Sequence, residues 1–324
     1  MSAVSVSLAV WLVLAAAAGA AVSLAWPLLV RRLARWHPVD RARALAALAA
    51  TPMLLPTATL AIVLAPGLIG LVAPALDHCG LHPDHLHLCL VHPSAALPAP
   101  LAISIGLATC LALVLAVSSW RTALARARPL HQMAALATRR LAPQVDLVES
   151  DRPFALTFGL LRPRAVVSTS LLRTLSPSQG AAVIAHEAEH ARRRDPLRQL
   201  AARGASVALW PGVRRALLAE LALSAEQACD EVAAGRTTDR LGVAQTILAV
   251  ERLIGESHGD AQRAGAGIDG GSLGARVESL LTAPPPRIPR RAMLFAVLLP
   301  LGVLAARPLH HEIEHLLSWA LGAG

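Results

Sequence analysis

Apolar residues run almost unbroken through four stretches of this chain, roughly 5 to 30, 45 to 76, 97 to 120 and 292 to 306. The first three reach the ~20 residues that a helix needs to cross a bilayer. The fourth is shorter and spans only if Arg291 and Arg307 snorkel or the bilayer thins locally. Pro52, Pro56, Pro66 and Pro74 interrupt the second stretch and predict a kinked span, or a span followed by a re-entrant piece. Residues 5 to 30 lack a basic leader and are followed by Arg31-Arg32, which predicts a retained anchor rather than a cleaved signal. Between the third and fourth stretches the pattern changes. Val145 to Glu149, Phe154 to Phe158 and Ala165 to Ser170 read as short strands, and helical periods follow at about 177 to 194, 197 to 209, 213 to 234 and 238 to 254. Gly235 is placed to cap the third of these helices. The glycine-rich residues 255 to 274 read as a mobile loop, and Pro284-Pro285-Pro286 as a stiff link into the last span.

Charge then orients the spans. The net charge is +9 and every basic residue is arginine. Arg31, Arg32, Arg35, Arg41 and Arg43 follow the first span, Arg121, Arg126, Arg128, Arg139 and Arg140 follow the third, and Arg287, Arg290 and Arg291 precede the fourth. The 77 to 97 loop has no Lys or Arg. The positive-inside rule therefore puts the N-terminus outside, the 31 to 44 loop inside, the 77 to 97 loop outside, the 121 to 291 segment in the cytoplasm and the tail outside. Direct nucleic-acid binding is not expected, because the basic groups hug span ends and accompany no recognition-helix pattern. The expected architecture is mainly α: a multi-pass cell-membrane protein with about four transmembrane helices. Residues 1–120 hold three of them, 121–291 form one cytoplasmic α+β domain, and 292–324 hold the fourth with a short tail.

That domain carries the run His186-Glu187-Ala188-Glu189-His190. On a helix, HExxH sets two imidazoles one turn apart on one face with a carboxylate beside them, which is half of a zinc site with its general base. Ser176-Pro177-Ser178-Gln179 reads as a capping box with proline at the first helical position, so the helix has a visible start. A second run, His311-Glu312-Ile313-Glu314-His315, lies nine residues from the end and has no downstream partner. The first copy has one: Glu226-Gln227-Ala228-Cys229-Asp230, with Glu226 and Asp230 on one helix face. The expected metal ligands are His186, His190 and Glu226, holding Zn2+ and leaving a fourth position to water, whose pKa falls from ~15.7 towards ~7 on the metal. Glu187 is the expected base. Asp230 is expected to accept a ring N–H from a ligand histidine and fix its tautomer. The strands at 154 to 170 offer an edge on which an extended peptide adds.

These residues resemble those of the BlaR/MecR-type membrane antirepressor metalloproteases. The likeness covers most of residues 1 to 306. Phe158-Gly159-Leu160-Leu161-Arg162-Pro163-Arg164 is similar to the strand-turn signature of that family, His186 to Asp195 to its extended zinc motif, and Glu226 to Asp230 to its third-ligand motif. The resemblance implies a gluzincin-like metalloprotease domain, regulated cleavage of a cytoplasmic partner such as a winged-helix transcriptional repressor, and signal transduction from an envelope stimulus. The β-lactam receptors of that family carry an extracellular penicillin-binding domain after the last span. This chain ends 18 residues after Ala306 and contains no lysine for a Ser-x-x-Lys, so a β-lactam is not the expected signal. Two rivals share parts of the pattern: a housekeeping protease like the HtpX and prenyl-protease group, and a non-proteolytic zinc-binding transducer. The intact Glu187 argues against the transducer. The bilayer and a protein substrate are the expected partners, and a homodimer stays open.

The outward loop holds Cys79, Cys89, His78, His82, His85, His87 and His92, and the tail adds His310, His311 and His315. Such tracts suit a Cys79–Cys89 disulfide in an oxidising compartment or a metal-sensing cluster. Cys229, beside Asp230, reads as a small packing residue.

Overall fold

The computed structural model describes residues 3–72, separate helical positions between 99 and 125, residues 137–257 apart from 238, and residues 270–287. The cysteine- and histidine-bearing segment at 77 to 97, the expected last span and the tail with the second HExxH run lie outside the described residues.

Two long apolar helices open the chain, α1 (Ala3–Leu33) and α2 (Pro38–Val72). Within them Val6–Leu33 and Pro38–Leu64 are long and apolar enough to cross a membrane, with mean hydropathies of 2.2 and 1.8. The helix α2 runs through Pro52, Pro56 and Pro66 without a break in its assignment. Pro52 and Pro56 are fully buried, so neighbouring side chains surround the two positions where a backbone donor is missing. The described positions of the third apolar stretch are helical, with Ile103, Leu107 and Val114 exposed.

The first two helices do not stand apart from the rest. Val22, Trp26 and Leu33 of α1 and Ala42, Leu45 and Ala49 of α2 form one core with Ala202, Leu209, Leu217 and Leu221 from later in the chain. Arg41, in the first turns of α2, reaches across to donate from Nε to Ser224 Oγ at 2.8 Å and from Nη2 to Gln227 Oε1.

The sheet has four strands in the order β1-β2-β4-β3: β1 (Ala137–Ala142), β2 (Val145–Val148), β3 (Ala155–Phe158) and β4 (Arg164–Ser168). Among the described residues β2 and β4 form the parallel pair, and β3 pairs antiparallel with β4 as the last strand in the sheet order. Three strands are legible in the sequence, Val145 to Glu149 by its alternation and the other two as short runs set off by Arg-Pro and Gly turns. The first is not, because Ala137–Ala142 (ATRRLA) is an exposed, arginine-bearing edge strand with register irregularities. At the β3–β4 turn Gly159 takes φ +87°, a backbone only glycine adopts freely.

Six helices follow: α3 (Thr169–Thr174), α4 (Pro177–Arg193), α5 (Asp195–Ala205), α6 (Pro211–Thr237), α7 (Arg240–Ser257) and α8 (Gly270–Leu281). The capping box that opens α4 is present, with Ser176 and Gln179 exchanging backbone hydrogen bonds. Two expectations are corrected. Gly235 does not end α6, which continues to Thr237 with the Thr237 hydroxyl donating to the Ala233 carbonyl at 2.9 Å; among the described glycines only Gly159 has a positive φ. The 255 to 274 segment is not all loop, since α7 runs to Ser257 and α8 begins at Gly270. Tertiary packing overrides the poor helix propensity of Gly270, Gly271 and Gly274: Leu273, Val277 and Leu280 lie against Ala233, Ala234, Val243, Ala244 and Ile247.

Candidate metal centre

The helix α4 packs its apolar side, Val183 among it, onto Val145, Ala165, Val167 and Leu171 of the sheet and α3. This presents His186, Glu187 and His190 to a cleft of about 420 Å³. Arg194 then takes the left-handed conformation, φ 56° and ψ 44°, which ends α4, and α5 starts at once with Asp195 and Pro196. The sharp turn swings Asp195 back to His190, five residues earlier, with Nδ1 and Oδ2 2.9 Å apart. On the facing helix α6, Asp230 meets His186 Nδ1 at 2.9 Å. Each imidazole is thus held from behind by a carboxylate on Nδ1, and each turns Nε2 into the cleft.

There the two Nε2 atoms lie 3.1 Å apart. Glu226 completes a triangle, with Oε1 3.3 Å from His190 Nε2 and Oε2 3.5 Å from His186 Nε2. Three donors on a tetrahedral zinc, at about 2.0–2.1 Å each, sit about 3.3–3.4 Å from one another. The donor types and their spacing therefore fit zinc. A second trio, His190, Asp195 and Cys229, also lies close together. It fits poorly: it is wholly buried, Asp195 already receives Arg193 Nε, and burial pushes the Cys229 thiol up to about 11, away from the thiolate a metal would take.

Without a metal the charges settle among themselves. Burial works against the His186 cation, but hydrogen bonds to Asp230 and Glu226 outweigh it and raise its pKa to about 9. His190 is raised well above its ordinary value by Asp195, Cys229 and Glu226, again against burial. Burial opposes ionisation of Glu226 as well, yet the two histidines hold it well below the usual carboxylate range.

Glu187 is buried and lines the cleft. The Thr157 hydroxyl of the edge strand β3 donates to Glu187 Oε2 at 2.7 Å. Sequence reasoning passed over Thr157, and also Arg276 of α8, whose Nε and Nη2 grip Asp230 at 2.8 Å while Nη1 lies 3.2 Å from Glu226 Oε2. No local signal marks Thr157. Arg276 was hidden by the glycines that disguised its helix. All five residues expected at the site, His186, Glu187, His190, Glu226 and Asp230, line the same cleft, together with an apolar wall that includes Val243, Ile247 and Val250 of α7.

Residues 121–263 match the model of peptidase family M48. The match covers less than half of the chain and supports a metallopeptidase of that family in this segment. No curated protein and no solved structure gave a significant match.

Proposed function

We propose that this protein is a membrane-associated zinc endopeptidase whose cleft faces the cytoplasm and cuts a protein substrate at or near the membrane. The observation that carries the reading is the triangle of His186, His190 and Glu226 donors opening on the same cleft as Glu187. His186, His190 and Glu226 would hold zinc, which would supply a Lewis acid for a carbonyl and lower the pKa of a water towards neutrality. Glu187 takes the proton of the attacking water on its carboxylate and delivers it to the leaving amine, and the Thr157 hydroxyl fixes which oxygen faces the reaction. Asp230 and Asp195 keep the two imidazoles in one tautomer and one orientation. Arg276 neutralises the carboxylate pair Glu226 and Asp230 and holds α8 over the site. The strand β3, last in the sheet order and lining the cleft through Ala155, Leu156 and Thr157, offers a place for an extended substrate beside the apolar wall of α7.

The substrate we favour is a winged-helix repressor, cleaved in response to an envelope signal, as the antirepressor resemblance implies. The match to family M48 as a whole also supports a housekeeping protease that removes damaged membrane proteins. Wild-type and Glu187→Gln proteins in membranes, each analysed for zinc and for cleavage of a co-expressed repressor and of a misfolded membrane protein, separate these readings. Stoichiometric zinc in both, with cleavage lost by at least ~100-fold in the variant, is the expected outcome. Cleavage of the misfolded protein alone moves the reading to housekeeping. Zinc in both with no cleavage at all leaves a binding transducer, and absence of zinc removes the site.

A further inference from the structure

The segment that joins α5 to α6 carries no charge between Arg203 and Arg214: residues 204–213 read GASVALWPGV. It folds as a 3-10 turn, Ser206–Ala208, followed by Leu209, Trp210 and the proline that opens α6. Leu209 is buried against α1 and α2, but Val207 and Trp210 are 52% and 50% exposed at the tip. An aqueous connection between helices ordinarily carries polar residues, so this exposure calls for an apolar surrounding.

Two contacts fix the height of the tip along α1. The backbone N–H of Trp210 donates to Ser23 Oγ at 3.1 Å, and Gly19 lies so close that a Cβ there would be 2.2 Å from the Ala208 carbonyl oxygen. Both positions fall inside the apolar window Val6–Leu33. Ser23 and Gly19 precede Arg31 by enough residues to lie ~12 Å and ~18 Å from it along the helix axis. With Arg31 and Arg32 at the headgroups of a hydrocarbon layer ~30 Å thick, the tip sits within that layer. The lower part of α6 is fixed independently, where Arg41 of α2 grips Ser224 and Gln227.

We infer that residues 204–213 form a membrane-inserted anchor, with Val207 and Trp210 among lipid acyl chains and Arg203, Arg214 and Arg215 at its neck reaching back to lipid phosphates. Arg214 Nη2 donates to the Arg203 carbonyl at 2.9 Å, which ties the two arms of the neck together. Glu226 adjoins Gln227 and so lies at the height of Arg41, the base of the spans. The anchor therefore holds the metal centre at the membrane surface, within reach of a protein substrate that approaches it from the cytoplasm. This inference rests on α1 and α2 crossing the bilayer, as their length and apolar composition lead one to expect.

The test uses the full chain in phosphatidylcholine–phosphatidylglycerol vesicles, comparing wild type with Trp210→Phe. The fluorescence lost on substitution is the Trp210 component. Lipids brominated on the acyl chain should quench that component severalfold more than they quench an interfacial tryptophan standard, while aqueous acrylamide leaves it nearly unchanged. Quenching by acrylamide and not by bromolipid would overturn the anchor. Val207→Asp provides a second reading: a clear fall in the melting midpoint in vesicles is expected, and an unchanged midpoint counts against insertion. The Glu187→Gln protein should show the wild-type quenching pattern. An aqueous Trp210 in a protein that still binds zinc and cleaves substrate would remove the anchor and leave the enzyme reading standing.

Discussion

His186 and His190 owe their usefulness to the atoms they do not offer to the cleft. With Nδ1 of each committed to a carboxylate, only Nε2 is available, and the ring cannot rotate without losing a buried ion pair. The same carboxylates make the metal-free histidines hold protons, which sets a pH dependence. The folded pKa of His186 is about 9 against an unfolded value of about 6.5, so its contribution to metal-free stability is complete below about pH 6.5 and is lost as pH rises through about 9. Glu226, Asp195 and Asp230 are shifted down, so their contribution is present above their unfolded values and is lost as the solution is acidified. Zinc must displace the His186 proton. Its affinity should therefore rise by at least about tenfold per pH unit between pH 6.5 and 8.5, with proton release visible as a buffer-dependent heat in titration calorimetry. A pH-independent affinity would mean that the imidazoles are neutral before zinc arrives. That His186, Glu187, His190, Glu226 and Asp230 belong together was readable from spacing. Asp195 appeared only within a motif, since nothing in a linear pattern says that a left-handed Arg194 will fold the chain back on His190.

At the scale of elements, α4 to α7 follow from apolar period, capping residues and proline placement, and their ends move by a few residues at most. The helix α8 does not follow from these signals. It exists because α6 and α7 give it a surface, and because Arg240, the first residue of α7, caps it: Nε donates to the Leu280 carbonyl at 2.8 Å, Nη2 to those of Ser279 and Thr282, and Nη1 pairs with Glu231 of α6. Carbonyls at a helix end that lose a charged donor are left to water, at about 1.5–3 kcal/mol for a charged hydrogen bond. Arg240→Ala should raise the hydrogen-exchange rates of α8 well above those of α6, measured by mass spectrometry, and weaken zinc binding through Arg276. Unchanged protection in α8 would assign its stability to packing alone.

Across the whole molecule, the first two helices and the metal-bearing segment share a core and the bridges made by Arg41, so a displacement of the spans has a direct mechanical route to α6 and Glu226. A close approach lies at Gly19, where any side chain meets the Ala208 backbone. Gly19→Val should push the 204–213 tip from α1 and destabilise the protein by about 1–3 kcal/mol, read as a lower melting midpoint in detergent. No change would show that the contact is not kept in solution. Local order along the chain was enough to reveal the apolar helices, three of the four strand runs, the helix that carries HExxH and the five residues that meet at the cleft, because periodicity, caps and i to i+4 spacing are short-range properties of a polypeptide. What lay beyond such reading were the partnerships that no motif announces: Asp230 with Arg276, Glu187 with Thr157, Ser224 with Arg41, and Gly19 with Ala208. Those pairings arise when helices and strands bury their apolar faces together, and no residue carries in its own neighbourhood the identity of the surface it will meet.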